Sequence, residues 1–148
     1  MNAVFADTFY FVALFNHRDQ GHVRAANFTD HFDGDIVTSA WVLVETANTL
    51  AKSERREEAG RYVQQLFTAR EFQVAEASPE LLRRGLNLYL QRPDKQWSLT
   101  DCISFVVIAG ARSDGCADRR PPLRAGRIQS SVPVINPVFV RAALPRGE

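Results

Sequence analysis

Short, continuous apolar runs alternate along this chain with stretches of helical period, and this alternation restricts the fold more than any other feature. Ala3-Val4-Phe5-Ala6 is a run too short for a helix and stops at Asp7-Thr8. Phe9, Val12, Ala13 and Phe15 then follow at helical spacing, and residues 22–32 give a second helix with Ala25, Ala26 and Phe28 on one side. Gly34-Asp35 interrupts it, and Ile36-Val37-Thr38 is a second strand. Residues 39–52 form a strongly apolar helix, and residues 55–70 another, with Tyr62, Leu66 and Ala69 on one face. Phe72-Gln73-Val74 is a third strand. Ser78-Pro79-Glu80 starts a helix filled by residues 81–90, because serine caps well and proline suits the first turn. Ser98-Leu99-Thr100-Asp101 starts the last, which carries Ile103, Val106, Val107 and Ile108. Strands alternating with helices predict an α/β chain with a short central parallel sheet flanked by helices. Such sheets place their sites at the carboxyl ends of the strands.

With 148 residues, 45% apolar and 24% charged, the chain has the size and composition of one globular domain. No apolar run approaches the ~20 residues of a membrane span, and no secretion signal opens the chain, so a cytoplasmic protein is expected. Cys102 and Cys116 give neither a disulfide framework nor metal-ligand spacing, and Cys102 is expected in the core. Charge is unevenly divided. Residues 1–108 carry 11 basic and 14 acidic side chains, net −3, whereas residues 109–148 carry 7 and 3, net +4. Five of the seven prolines also fall after residue 108.

Three acids occupy places where an acid is costly. Asp7 closes an apolar strand, Glu45 interrupts Trp41-Val42-Leu43-Val44, and Asp101 opens an apolar helix. A carboxylate near a core loses hydration and needs compensation from a cation or from hydrogen-bond donors. Converging carboxylates suit a divalent ion, and oxygen-only donors suit Mg²⁺ or Mn²⁺. Simpler roles stand beside this one. Asp7 fits an N-cap, Glu45 fits a solvent-facing position on its helix, and Ser98-x-x-Asp101 fits a capping box. His17, His22 and His31 are expected at the surface, and Arg55-Arg56-Glu57-Glu58 on a solvated helix face.

The same strings resemble the PIN-domain ribonucleases, in particular the VapC-type toxins of type II toxin–antitoxin pairs. Val4-Phe5-Ala6-Asp7-Thr8 resembles the family's opening strand and first acid. Val37-Thr38-Ser39 with Val42-Leu43-Val44-Glu45-Thr46-Ala47-Asn48 resembles its second strand and the helix bearing its second acid. Asp94-Lys95-x-Trp97-Ser98-Leu99-Thr100-Asp101-Cys102-Ile103-Ser104-Phe105 resembles its third motif closely. The resemblance covers about residues 1–108. It implies a Mg²⁺- or Mn²⁺-dependent endoribonuclease, with Asp7, Glu45 and Asp101 as catalytic residues. Asp7 and Asp101 would bind the metal directly, and Glu45 would act through water. Thr8, Asn48, Ser98 and Ser104 would be supporting neighbours. It also implies RNA as substrate, a cognate antitoxin as partner, and a homodimer. Arg18, Arg24 and Lys95 are candidates to hold the RNA backbone.

One element of that family is missing. A fourth acid is expected 15–20 residues after the third, in a strand of the pattern A-x-T-x-D-x-x-F. Here Ala117-Asp118-Arg119-Arg120-Pro121-Pro122 stands instead, and paired prolines cannot occupy a central strand. Cys116 to Gln129 nevertheless admit a coding sequence that, read one base later, gives A-L-T-A-D-R-H-F-E-Q-A-G-F. That is the missing motif, its acid straddling the codons of Arg120 and Pro121. One extra base near codon 108 accounts for this, and for the arginine and proline excess that follows. The domain then divides into a PIN-like core, residues 1–108, and an out-of-frame tail, residues 109–148, in which the C-terminal strands are degraded. A divergent natural C-terminus is the alternative. Functionally, the competing reading is a degenerate, non-catalytic PIN domain that acts by binding or not at all. A receiver-type phosphoryl-transfer domain fits less well, since Asp7 has no acidic neighbour.

Overall fold

The computed structural model describes residues 3–113, and side-chain surroundings through Gly110. Three parallel strands form one sheet in the order β1 (Ala3–Phe5), β2 (Asp35–Ser39), β3 (Phe72–Ala75). Val4 lies opposite Ile36, and Thr38 opposite Val74. Six helices connect and cover them: α1 (Thr8–Phe15), α2 (His22–His31), α3 (Ala40–Thr49), α4 (Arg56–Leu66), α5 (Pro79–Gln91) and α6 (Leu99–Ser113). The parallel α/β architecture expected from the alternation is therefore present. The α6 helix runs to Ser113, past residue 108, and the remainder of the 109–148 tail lies outside the described residues.

Local chemistry explains where the elements begin. Asp7 has extended backbone and its Oδ1 accepts from Tyr10 N at 3.0 Å, so it caps α1. Ser39 caps α3 through Val42 N at 3.3 Å, and Ser78 caps α5 through Leu81 N at 3.1 Å with Pro79 in the first turn. Each α1 and α3 cap stands at or just beyond a strand's carboxyl end. The sheet edge and these two helix N-termini are thus built from the same residues.

The core holds the strands in place. Phe5, Phe11, Val42 and Ile103 are fully enclosed. Each such side chain contributes on the order of 1.5–3 kcal/mol by leaving water. A smaller cluster of Phe15, Leu50 and Ala59 ties the end of α1 to α3 and α4. The α5 and α6 helices pack closely because Gly85 faces Ile103, and a Cβ there would meet the Ile103 side chain and come within 3.3 Å of its backbone. Cys102 is buried in the same helix as expected, and no described helix is long and apolar enough to cross a membrane.

Candidate active site

All three strands point the same way, so their carboxyl ends share one edge. Asp7 emerges from that edge two residues beyond Phe5, and Ser39 ends β2 on it. The two strand ends are locked together there. Ala6 N donates to Val37 O at 2.8 Å, and the buried Thr38 hydroxyl donates to Ala6 O at 2.9 Å. The backbone immediately before Asp7 is therefore fixed from two sides by β2.

Thr8 completes the lock from above. Its hydroxyl donates to Glu45 Oε2, across 37 positions of sequence. This bond draws the middle of α3 to the start of α1 and brings Glu45 beside the residue next to Asp7. Both acids are half-buried. Glu45 thus does not simply face solvent, and Asp7 serves as cap while standing at the sheet edge. Inside α3, the buried Thr46 hydroxyl returns to Val42 O at 2.8 Å and leaves the outward side of the helix to Glu45, Asn48 and Thr49.

Asp101 is held by different means. Ser98 N donates to Asp101 Oδ2 at 2.8 Å, and Asp101 N donates to Ser98 Oγ at 3.0 Å. This reciprocal pair is a capping box. Both side chains are exposed, so burial does not burden Asp101 as the apolar sequence after it suggested. Among the described residues its hydrogen bonds are made within its own turn, to Ser98. The helix that carries it packs on β2 and α3. One turn on, the buried Ser104 hydroxyl donates to Thr100 O at 2.9 Å. Burial and the neighbouring Asp101 charge push the Cys102 thiol up, which keeps it protonated and unreactive.

Of the supporting residues, Thr8, Ser98 and Ser104 therefore make hydrogen bonds that fix an acid or its helix, whereas Asn48 is exposed on α3. Thr38 and Thr46 belong with them, although in the sequence each is only one more residue of a strand or a helix. A hydroxyl at the last inward position of a strand was the available signal. Arg18 and Arg24 are exposed, and Lys95 lies 3.3 Å from Asp94.

The donor chemistry is that of a hard cation: carboxylate oxygens, with no thiolate or imidazole among them. Among the described residues, however, no three His, Cys, Asp or Glu side chains are grouped so as to hold a metal ion. The Asp7–Thr8–Glu45 lock supplies two carboxylates, and Mg²⁺ characteristically takes one or two from the protein and the rest from water and phosphate.

Comparison with known proteins gives the site its context. The family model of the PIN domain matches residues 4–116, three quarters of the chain. Among solved structures, the chain is similar to the crystal structure of Mycobacterium tuberculosis VapC20, a toxin that cleaves the sarcin–ricin loop. The TM-score is 0.65 at 21% identity, over 72% of this chain and 82% of that one. No curated protein matches the chain.

Proposed function

The chain belongs to the PIN domain family, and we propose from this that it is a divalent-metal-dependent endoribonuclease, the toxin of a toxin–antitoxin pair. The observation that carries the proposal is the lock at the sheet edge, where Thr8 joins Glu45 to the residue beside Asp7. Two carboxylates fixed separately on neighbouring residues' hydrogen bonds, at the carboxyl end of a parallel sheet, suit a phosphodiester substrate. In this reading Asp7 and Asp101 would hold Mg²⁺ or Mn²⁺, and Glu45 would act through water. Once bound, the ion supplies screening of the phosphate charge and stabilisation of the leaving oxygen.

The chain's own residues have separate tasks. Tyr10 N holds one Asp7 oxygen, which orients the carboxylate. Thr8 fixes Glu45 for positioning or deprotonating the attacking water. Ser98 fixes Asp101, and Ser104 keeps its hydroxyl within the same helix. Exposed Arg18 and Arg24 offer phosphate contacts. An antitoxin segment would cover the acids, and a homodimer is the expected assembly.

A second reading is favoured by one specific feature. The sequence lacks the family's fourth acid, and residues 109–148 read as an out-of-frame tail that replaces the end of the domain. A non-catalytic remnant would look like this. The test is cleavage of total RNA by this chain beside a version with the reading frame restored, each with its Asp7→Asn variant. The restored version is expected to cleave with Mg²⁺ and to lose activity in EDTA or with Asp7→Asn, the present chain being slower. A restored version that cleaves beside an inert present chain establishes the remnant. Cleavage that persists in EDTA and with Asp7→Asn overturns the metal-nuclease assignment.

A further inference from the structure

Between α5 and α6 the chain builds an ordered column of aromatic and guanidinium groups that the site described above does not use. Phe105 and Asp101 are four residues apart on α6, so they share one face of the helix. Trp97 packs on Phe105 in a T-shaped contact, ring centroids 4.8 Å apart. The Arg92 guanidinium lies over the Trp97 ring, 5.2 Å from its centroid. Asp94 grips that guanidinium from its edge, accepting from Nε at 2.8 Å and from a terminal nitrogen at 3.0 Å. Lys95 Nζ sits 3.3 Å from Asp94 Oδ2, the oxygen that also accepts from the terminal Arg92 nitrogen.

Each contact limits how Arg92 can move. A bidentate carboxylate fixes the plane of a guanidinium, and an indole behind it removes one face from solvent. The paired cations hold the Asp94 carboxyl well below the usual carboxylate range, so the grip persists through neutral and mildly acidic pH. Asp94 and Trp97 are the partners of the Arg92 side chain among the described residues, and about a third of that side chain remains exposed. A fixed, charged plane with an open side is what an unpaired nucleobase stacks on. Its backing residue Trp97 directly precedes Ser98, the cap of the helix that carries Asp101.

We propose that Arg92, backed by Trp97 and held by Asp94, is a stacking platform for one unpaired base of the RNA substrate, at the approach to the helix that carries Asp101. The inference rests on the ribonuclease reading and adds to it a side chain that contacts a base. A base inside a duplex is stacked on both faces and cannot reach this plane. Lys95 contributes charge without a plane, and so attracts the backbone without reading a base.

The test measures binding in EDTA, at one ionic strength, of a fluorescein-labelled single-stranded oligouridylate and of an abasic oligomer of the same length. The full chain is expected to bind the base-bearing oligomer roughly 5- to 100-fold more tightly, the usual range for one stacked base. Arg92→Lys keeps the charge and removes the plane, so it is expected to bind both oligomers alike, at about the abasic affinity. Trp97→Ala is expected to behave similarly. If it fails to fold, the conservative Arg92→Lys variant still decides the matter. Equal binding of the two oligomers by the unmodified chain overturns the proposal, as does base discrimination that survives in Arg92→Lys. No binding of either oligomer overturns it together with the ribonuclease reading. Base-dependent binding beside a restored-frame version that never cleaves RNA supports the platform and overturns the nuclease alone.

Discussion

The carboxylates of Glu45 and Asp101 show how one chemical group can be positioned at two very different scales. Glu45 is held by Thr8 from 37 residues away, above strands that are themselves tied by Thr38 and Ala6. Its position depends on the whole core between β1, β2, α1 and α3. Asp101 is held by Ser98, three residues away, and is exposed. Its position depends on one turn of helix. The first arrangement is only as secure as the fold, whereas the second is local and survives moderate damage elsewhere.

Three substitutions sharpen this contrast. Phe5→Ala empties the centre of the long-range region, where the ring is fully buried. It is expected to cost about 3–5 kcal/mol in urea unfolding, since the cavity adds to lost burial. Thr38→Val keeps the shape but removes the hydroxyl that bonds to Ala6 O. About 1–3 kcal/mol is expected, because a buried carbonyl loses its donor. Ser98→Ala removes the cap in front of Asp101 and is expected to cost about 1 kcal/mol. Amide hydrogen exchange separates the two regions further. Thr38→Val should raise exchange in both β1 and β2, and Ser98→Ala in the first turn of α6 alone. Exchange that spreads from Ser98→Ala into β1 would mean that the two acids are not independently held.

The same division explains what the sequence disclosed. Strand and helix positions were legible because each rests on local period and on caps such as Ser78-Pro79 and Ser98-x-x-Asp101. The Asp7 cap was legible for that reason too. The tie from Thr8 to Glu45 was not, because no local pattern records which side chains meet across 37 residues. Sequence left Glu45 open between solvent and site, and the hydrogen bond draws it toward the site. Asp101 misled in the opposite direction, since the apolar residues after it suggested burial, yet the helix turns those inward and leaves Asp101 exposed. The role of Thr38 is not legible locally, because a threonine at a strand end is ordinary β composition until its acceptor is known. The aromatic column was likewise hidden, because no local period records that Arg92 lies over Trp97 or that Trp97 packs on Phe105.

Mn²⁺ binding tests the central claim most directly, because it asks whether these acids act on one ion without requiring turnover. Electron paramagnetic resonance titration of the full chain is expected to show a bound Mn²⁺ that Asp7→Asn and Asp101→Asn each abolish and that Glu45→Gln weakens. Binding that Asp7→Asn removes but Asp101→Asn leaves unchanged would contradict the account, since the two acids would then serve no common ion.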